Sequence, residues 1–303
     1  MSLRGLLLVL AATSLWGTLG PVERIALREG VTPLGVSLAR GILASGLVGL
    51  TALRRRPDAL RPALREIPAC LGCGIFGVAG LYTLSNVAFV TIPVGLATLL
   101  FYTAPFWALL GERLLGKERL TLRRCAAFGL GLGGVWLSVG GVAGIRSGRI
   151  DPAGLLCAAG GGLSYAVYLL IGRHGIGRED PFKMYVQTFF WGTGVLALLA
   201  WGTGDLSAIR GVAGGALPSL LWLGIFPTLI SYALLVRALR WIPSSTASIA
   251  SMSEIAWAMG WALLLVGEHP GREALLGAGI VAAGVALLAG EGTFGGGPGK
   301  SDD

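Results

Sequence analysis

Glu254 is the acidic side chain whose position most needs a chemical reason. The chain of 303 residues holds 16 Asp and Glu residues. The others fall in loops, tails or the ends of apolar runs, whereas Glu254 lies near the middle of the run 244–266. If that run crosses a bilayer, a charge at its centre costs about 2.5–3.5 kcal/mol on insertion scales. Trp257 and Trp261 follow at helical spacing and share its face. A carboxylate with aromatic walls suits a substrate ammonium or a proton. The same group also reads as a protonated glutamate tying two helices together. Arg40, in the run 34–53, is the second charge of this kind. Its long side chain can snorkel to the membrane interface, meet a substrate carboxylate, or pair with Glu254.

Aromatic and small polar residues gather on faces of other runs at spacings of three and four. Tyr82, Ser85, Asn86 and Phe89 form one such face, Gly161, Ser164, Tyr165 and Tyr168 another, with Thr13, Trp16 and Gly17 on a third and Phe101, Ala104, Pro105 and Trp107 on a fourth. The expected lining of one central cavity is therefore Trp16, Tyr82, Asn86, Phe101, Trp107, Tyr165, Tyr168, Glu254 and Trp257. The competing reading, an interfacial belt of Trp and Tyr, fits Trp191, Trp201 and Trp241 at run ends better than it fits this mid-run set. Pro105 is expected to break its run near the middle, and Pro227 corresponds to Gly77 in a related run. A proline frees the carbonyl four residues before it and kinks the helix. Pro93 and Pro243 end two short connections and are expected as hinges. Cys70 and Cys73 form C-x-x-C without a second pair, and His174 and His269 lie in opposite-side loops, so no metal or cofactor site is expected.

The elements that must position these residues are ten apolar runs, at 3–20, 34–53, 67–90, 93–111, 122–141, 152–172, 182–201, 212–236, 244–266 and 274–290. Each is near the roughly 20 residues a helix needs to cross about 30 Å of hydrocarbon. Composition agrees: the chain is 54% hydrophobic and only 13% charged, with mean hydropathy +0.74, and 50 glycines favour close helix packing. The net charge of +8 comes with no aromatic-basic surface and no phosphate loop, so nucleic acid is not the expected partner.

The chain also repeats itself. At an offset of about 150 residues, Tyr82, Leu84 and Ala88 fall on Tyr232, Leu234 and Ala238, Ile92-Pro93 on Ile242-Pro243, and Trp107-Ala108 on Trp257-Ala258. Five runs in each half is an odd number, so the halves must be inverted in the membrane. The expected fold is an all-α integral membrane protein of ten transmembrane helices, as two inverted five-helix repeats, 3–142 and 152–290, around a central cavity. A disordered tail is expected at 291–303. With the amino terminus inside, 17 of the 24 Lys and Arg residues fall on inner segments and six on outer loops, which predicts that both termini are cytoplasmic. Every connection is short, leaving no room for an ATPase module.

The pattern around Trp16-Gly17, the run from Pro105 to Glu112-Arg113 and the ten runs in two halves resemble the drug/metabolite transporter superfamily, EamA type, and most resemble its bacterial exporters of aromatic and other neutral amino acids. That resemblance implies a secondary-type exporter working by alternating access in the bacterial cytoplasmic membrane, with a small-molecule substrate and a cavity lined by the first, third, fourth, sixth, eighth and ninth helices. The half-repeat partner of Glu254 is Ala104, so any charge there is asymmetric. Alternatives are the same fold exporting drugs, nucleosides or sugars, a membrane enzyme for lipid-linked substrates, and a structural subunit. Gly129, Gly133, Gly277 and Gly284 suit either packing within one chain or a homodimer.

Overall fold

The computed structural model describes residues 2–92, 94–116, 121–146, 151–175, 180–205, 207, 210, 215–267 and 269–289. The expected hinge at Pro93, the Phe89 side chain and the tail 291–303 lie outside the described residues. Among the described residues every regular element is a helix, as hydrocarbon demands of a chain whose backbone groups must bond within their own segment. In order these are α1 Leu3–Trp16, α2 Leu19–Arg28, α3 Pro33–Arg55, α4 Ile67–Gly74, α5 Gly80–Thr91, α6 Val94–Phe101, α7 Ala104–Leu114, α8 Leu122–Ser138, α9 Gly141–Arg146, α10 Pro152–His174, α11 Pro181–Thr203, α12 Leu217–Gly224, α13 Ser231–Ala238, α14 Ser244–Ser251, α15 Glu254–Val266 and α16 Arg272–Ala289.

Among the described residues, seven helical stretches are long and apolar enough to cross a membrane, Leu3–Arg28, Pro33–Arg55, Leu64–Ala88, Pro152–His174, Pro181–Thr203, Leu217–Ala238 and Ser244–Leu265. The first runs past the expected end at residue 20, because α2 continues α1 after a turn at Gly17 and Thr18. The expected run 93–111 is divided into α6 and α7, and the run 122–141 holds a 17-residue helix, α8. Starts and stops follow the sequence chemistry. Thr32, Asp151 and Asp180 cap α3, α10 and α11, each followed by proline, whose missing N–H loses nothing in the first turn. Gly204 and Gly267 end α11 and α15 with φ of +67° and +69°, a conformation that favours glycine.

Lipid has no hydrophobic pull between helices, so close backbone approach and polar ties hold the bundle. Against α16, a Cβ on Gly134 of α8 would lie 2.6 Å from the Gly277 carbonyl oxygen, and one on Gly284 would lie 2.9 Å from that of Ala127. Gly277 and Gly284 thus pack within the chain, while Gly129 and Gly133 meet nothing within 4 Å. Leu156, Trp201 and Leu264 are exposed, whereas Thr188, Thr228, Ser231, Ser244, Ser245 and Thr246 are fully buried.

Two helices are π-wound at matching places. The turns Ile75–Ala79 and Ile225–Ile230 sit 150 residues apart and join α4 to α5 and α12 to α13. Pro227 has no N–H for the carbonyl of Leu223, and Thr228 Oγ1 donates to that oxygen instead at 2.7 Å. In the first turn the carbonyls of Phe76 and Gly77 accept from Ser164 Oγ at 3.0 Å and Tyr232 Oη at 2.7 Å. Each π turn is therefore satisfied by side chains, two of them from the other half of the chain.

The two ends of the bundle differ. At one end Arg56 pairs with Asp58 and Asp180, both at 2.7 Å, and its guanidinium holds the Asp58 carboxyl below the usual range. Here Lys183 also pairs with Glu66 and Arg4 lies over the Trp241 ring at 4.9 Å. At the other end Asp205 is bonded by Thr32 Oγ1 and by the Ser207 N–H. Burial raises the Asp205 carboxyl, but these bonds outweigh it and leave it below the ordinary value.

Candidate functional site

A cavity of about 390 Å³ lies between the centre of the bundle and the end that carries Thr32 and Asp205. That is within the roughly 300–1,000 Å³ of small-molecule sites. Its walls come from both halves of the chain: α1, α2, α3, α5, α6, α7, α10, α13, α14 and α15 each contribute.

Aromatic rings make its floor. Trp16 meets Tyr165 and Tyr232 edge-on with centroids 6.2 and 5.8 Å apart, and Phe101 stacks on Tyr165 at 6.2 Å. Tyr165 Oη is fixed by Ser251 Oγ at 2.8 Å. Below them Tyr168 lies against Gly77, where a Cβ would fall 2.5 Å from its ring, and tilts onto Tyr232 at 5.8 Å. Tyr168 therefore supports the floor from beneath and is fully buried.

Among the described side chains, charge enters from Arg40, Glu23 and Glu254. Arg40 does not reach an interface; it is 5% exposed. Its Nε donates to Thr228 Oγ1 at 2.8 Å, its Nη2 donates to Tyr82 Oη at 3.2 Å, and its guanidinium lies 4.5 Å above the Tyr82 ring. The second π turn supplies Thr228, so the helix irregularity is what holds the guanidinium. Among the described residues no ion pair joins Arg40 to Glu23 or Glu254.

Glu254 is the first residue of α15 and not the middle of an unbroken helix. The run 244–266 breaks at Met252 and Ser253, as the run 93–111 breaks at Tyr102 and Thr103, again 150 residues apart. Pro105 begins α7 within its first turn, so the break costs it no internal bond. The second break has no proline. It leaves the Glu254 carboxylate at a helix N-terminus, where the backbone dipole favours negative charge by about 0.3–1 kcal/mol.

Of the residues expected to line one cavity, Trp16, Tyr82, Asn86, Phe101, Tyr165 and Glu254 do so, together with Arg40. Asn86 is anchored there by donating to Ser37 Oγ at 3.1 Å. Three do not. Tyr168 lies beneath the floor, Trp107 packs edge-on against Phe106 at 5.1 Å, and Trp257 turns outward, 43% exposed, with its Cβ against the helix at Gly17. Pro227 is buried in its π turn, and Pro243 precedes α14 as its N-cap.

Sequence reasoning missed Glu23, Tyr102, Tyr232 and Ser248, all on the wall. Tyr232 had a signal, being the repeat partner of Tyr82. Ser248 is 1% exposed and its hydroxyl has no hydrogen-bond partner among the described residues. Glu112 was also missed. It is 1% exposed and accepts from the Ser244 N–H at 3.0 Å, with His174 Nε2 at 2.6 Å from its other oxygen. His174 is thus paired at the end of α10, and the pair with Ser244 closes the bundle on the side away from the cavity.

Residues 3–140 and 152–290 each match the EamA-like transporter family. The chain belongs to that family. It is a multi-pass membrane transporter, which implies a small-molecule cargo. Among curated relatives, "Uncharacterized transporter YdfC" of Bacillus subtilis (strain 168) is 28% identical over 89% of this chain and 86% of its own length. "Uncharacterized transporter YwfM" of the same strain is 28% identical over 93% and 92%. "Probable terminal-alkyne amino-acid exporter" of Streptantibioticus cattleyicolor is 29% identical over 90% and 89%. A solved crystal structure superposes with a TM-score of 0.76 over 95% of this chain and 97% of that one at 20% identity, a likeness of fold. The EamA fold thus sets the cavity between two matched stretches of one chain.

Proposed function

We propose that this EamA transporter exports amino acids, aromatic and other neutral ones foremost, by alternating access across a bacterial cytoplasmic membrane. The observation that carries this reading is the cavity itself, which offers a guanidinium for a carboxylate, a helix-end carboxylate for an ammonium, and an aromatic floor for an apolar side chain. The relative named as an amino-acid exporter supports the same class. Arg40 keeps donors beyond those given to Thr228 and Tyr82, and Ser248 adds an unused hydroxyl. Here α1 with α2, α6 with α7 and α14 with α15 each make one crossing, giving ten in two inverted halves, with both termini cytoplasmic. The matched breaks and π turns support the repeat, and the basic loops support the orientation. The halves then rock about the connections that end at Pro93 and Pro243.

Purified protein in liposomes, given labelled tryptophan, phenylalanine and threonine, is expected to show saturable flux above empty liposomes. Glu254→Gln should weaken it about tenfold, since a charge-assisted bond contributes about 1.5–3 kcal/mol. Folded protein that moves none of the three overturns the amino-acid assignment in favour of drugs, nucleosides or sugars.

A further inference from the structure

Another groove, of about 480 Å³, lies between α3, the start of α11 and the second π turn. None of its residues lines the cavity. Leu47, Leu50, Phe182 and Leu229 give it apolar walls, and the first two are exposed on the outside of the bundle. Tyr185 Oη donates to the Leu229 carbonyl and Thr51 Oγ1 to that of Leu47, so both hydroxyls of the lining are committed. The remaining polar groups are the guanidiniums of Arg54 and Arg55. Both are exposed, and among the described residues neither has a hydrogen bond or an ion pair.

The spacing along α3 orders these groups by depth. The helix has 23 residues, about 34 Å and so close to the roughly 30 Å of hydrocarbon, which brings Arg54 and Arg55 in its last turn to the headgroups. Thr51 and Leu47 lie one and two turns beneath Arg54 on the same face, the second about 10 Å deeper. A phospholipid has the same profile, an anionic phosphate above an acyl chain. Arginines at a helix end also orient a membrane protein, but orientation needs no apolar groove beneath them. The positive surplus of this end does not depend on which residues are described. Segments 54–66 and 173–183, which flank the groove, hold eight Lys and Arg residues and four Asp and Glu residues in the full sequence. Asp58 and Asp180 are taken by Arg56, and Glu66 by Lys183. The fourth acid, Glu179, and its neighbour Arg178 lie outside the described residues. A pair between Glu179 and either groove arginine would still leave the other free.

We propose that this groove holds one anionic phospholipid of the surrounding bilayer, its phosphate on Arg54 and Arg55 and one acyl chain over Leu47, Leu50 and Leu229. Arginine suits the phosphate because its planar fork donates two hydrogen bonds at once to neighbouring oxygens. Basic pockets between helices at a membrane surface take anionic headgroups on the same physical ground. A zwitterionic headgroup carries its own cation beside the phosphate and gains less from two arginines. A free phosphate meets the guanidiniums but leaves the apolar walls uncovered. The acyl chain covers the outer side of the π turn whose Thr228 holds Arg40. The lipid is not cargo, so the site is independent of which compound the cavity moves.

Native mass spectrometry of the full chain in detergent, titrated with phosphatidylglycerol, phosphatidylcholine or inorganic phosphate, tests this. One phosphatidylglycerol per chain should bind at least about tenfold more tightly than phosphatidylcholine, and inorganic phosphate at the same concentration should not bind. Arg54→Gln with Arg55→Gln should abolish the preference, a loss of about tenfold or more for two interfacial charges. Thr51→Trp, which fills the groove and keeps both arginines, should weaken phosphatidylglycerol by about fivefold or more. Arg61→Gln with Arg65→Gln, in the same segment but outside the groove, should leave its binding within about twofold. All five positions are exposed, so each variant is expected to fold. Equal binding of the two lipids, or the same loss from both arginine pairs, overturns the proposal in favour of diffuse surface charge. Normal binding to the Thr51→Trp variant removes the groove from it, and bound inorganic phosphate makes the place a free-anion site. A mass of two chains that falls to one in Thr51→Trp would make the groove an interface between copies instead.

Discussion

Arg40 is held as a planar fork and not as a point charge. Its Nε and Nη2 go to two different elements, Thr228 in the second π turn and Tyr82 on α5, and its plane covers the Tyr82 ring. A lysine keeps the charge but cannot make two directed bonds and a stacked contact together. We expect Arg40→Lys to lower amino-acid affinity about 10- to 100-fold, the worth of a charge-assisted bond, measured by calorimetric titration of the purified protein. Affinity within about twofold of the parent would show that charge alone suffices. Glu112 is a second residue whose neighbours depend on it. Removing its carboxylate leaves the buried Ser244 N–H without an acceptor, a loss of about 1–3 kcal/mol, and leaves the part-buried His174 without its partner. Glu112→Ala is therefore expected to lower thermal stability more than Glu112→Gln, whose amide oxygen still caps α14; equal losses would assign the effect to the charge.

At the scale of elements, α8 and α16 meet through glycines that approach each other's carbonyl oxygens. Gly134→Val should destabilise the folded protein by about 1–3 kcal/mol through overpacking, whereas Gly129→Val, on the open face of the same helix, should leave the melting temperature within error in detergent. A matching loss from Gly129→Val would indicate a contact with a second chain at that face. The elements were legible in the sequence to unequal degrees. Apolar runs, caps and the break beside Pro105 could be read, because composition and proline act locally. The break at Met252 and Ser253 could not, since no proline or glycine marks it. The break does not account for Trp257, which follows Glu254 by three residues on the same unbroken α15; helical spacing gives the face of a residue but not the turn of its ring, and this ring is 43% exposed. Glu23 was missed for a different reason. The hydropathy of the first run falls at Gly20 while the helix goes on to Arg28, carrying a carboxylate to the cavity wall that looked like part of a loop.

Across the whole molecule, one end is closed by contacts between segments distant in the chain. Glu112 ties α7 to α10 and α14, Arg173 Nη1 donates to the Leu239 carbonyl at 2.7 Å, and Arg4 stacks on Trp241. Gly5 lies so close to Ile242 that a Cβ there would meet Ile242 Cγ2 at 2.7 Å. If transport requires this end to open, a disulfide between Gly5→Cys and Ile242→Cys should abolish flux and reduction should restore it, in a chain whose free Cys70, Cys73, Cys125 and Cys157 have been replaced by alanine. Flux that survives the cross-link would mean that this end does not open.

The π turns set the angular phase of everything that follows them. Each fits an extra residue into one turn of its span. Rewinding Ile75–Ala79 as an ordinary α-helix, with no residue removed, would rotate the rest of α5 by about 100°. Tyr82 would swing off the cavity wall and lose Arg40, and Asn86 would leave Ser37. The same rewinding of Ile225–Ile230 would turn Tyr232 away from Trp16. Neither change would alter the hydropathy or the number of spans. The lesion would be a membrane protein that inserts normally and has no place for its cargo.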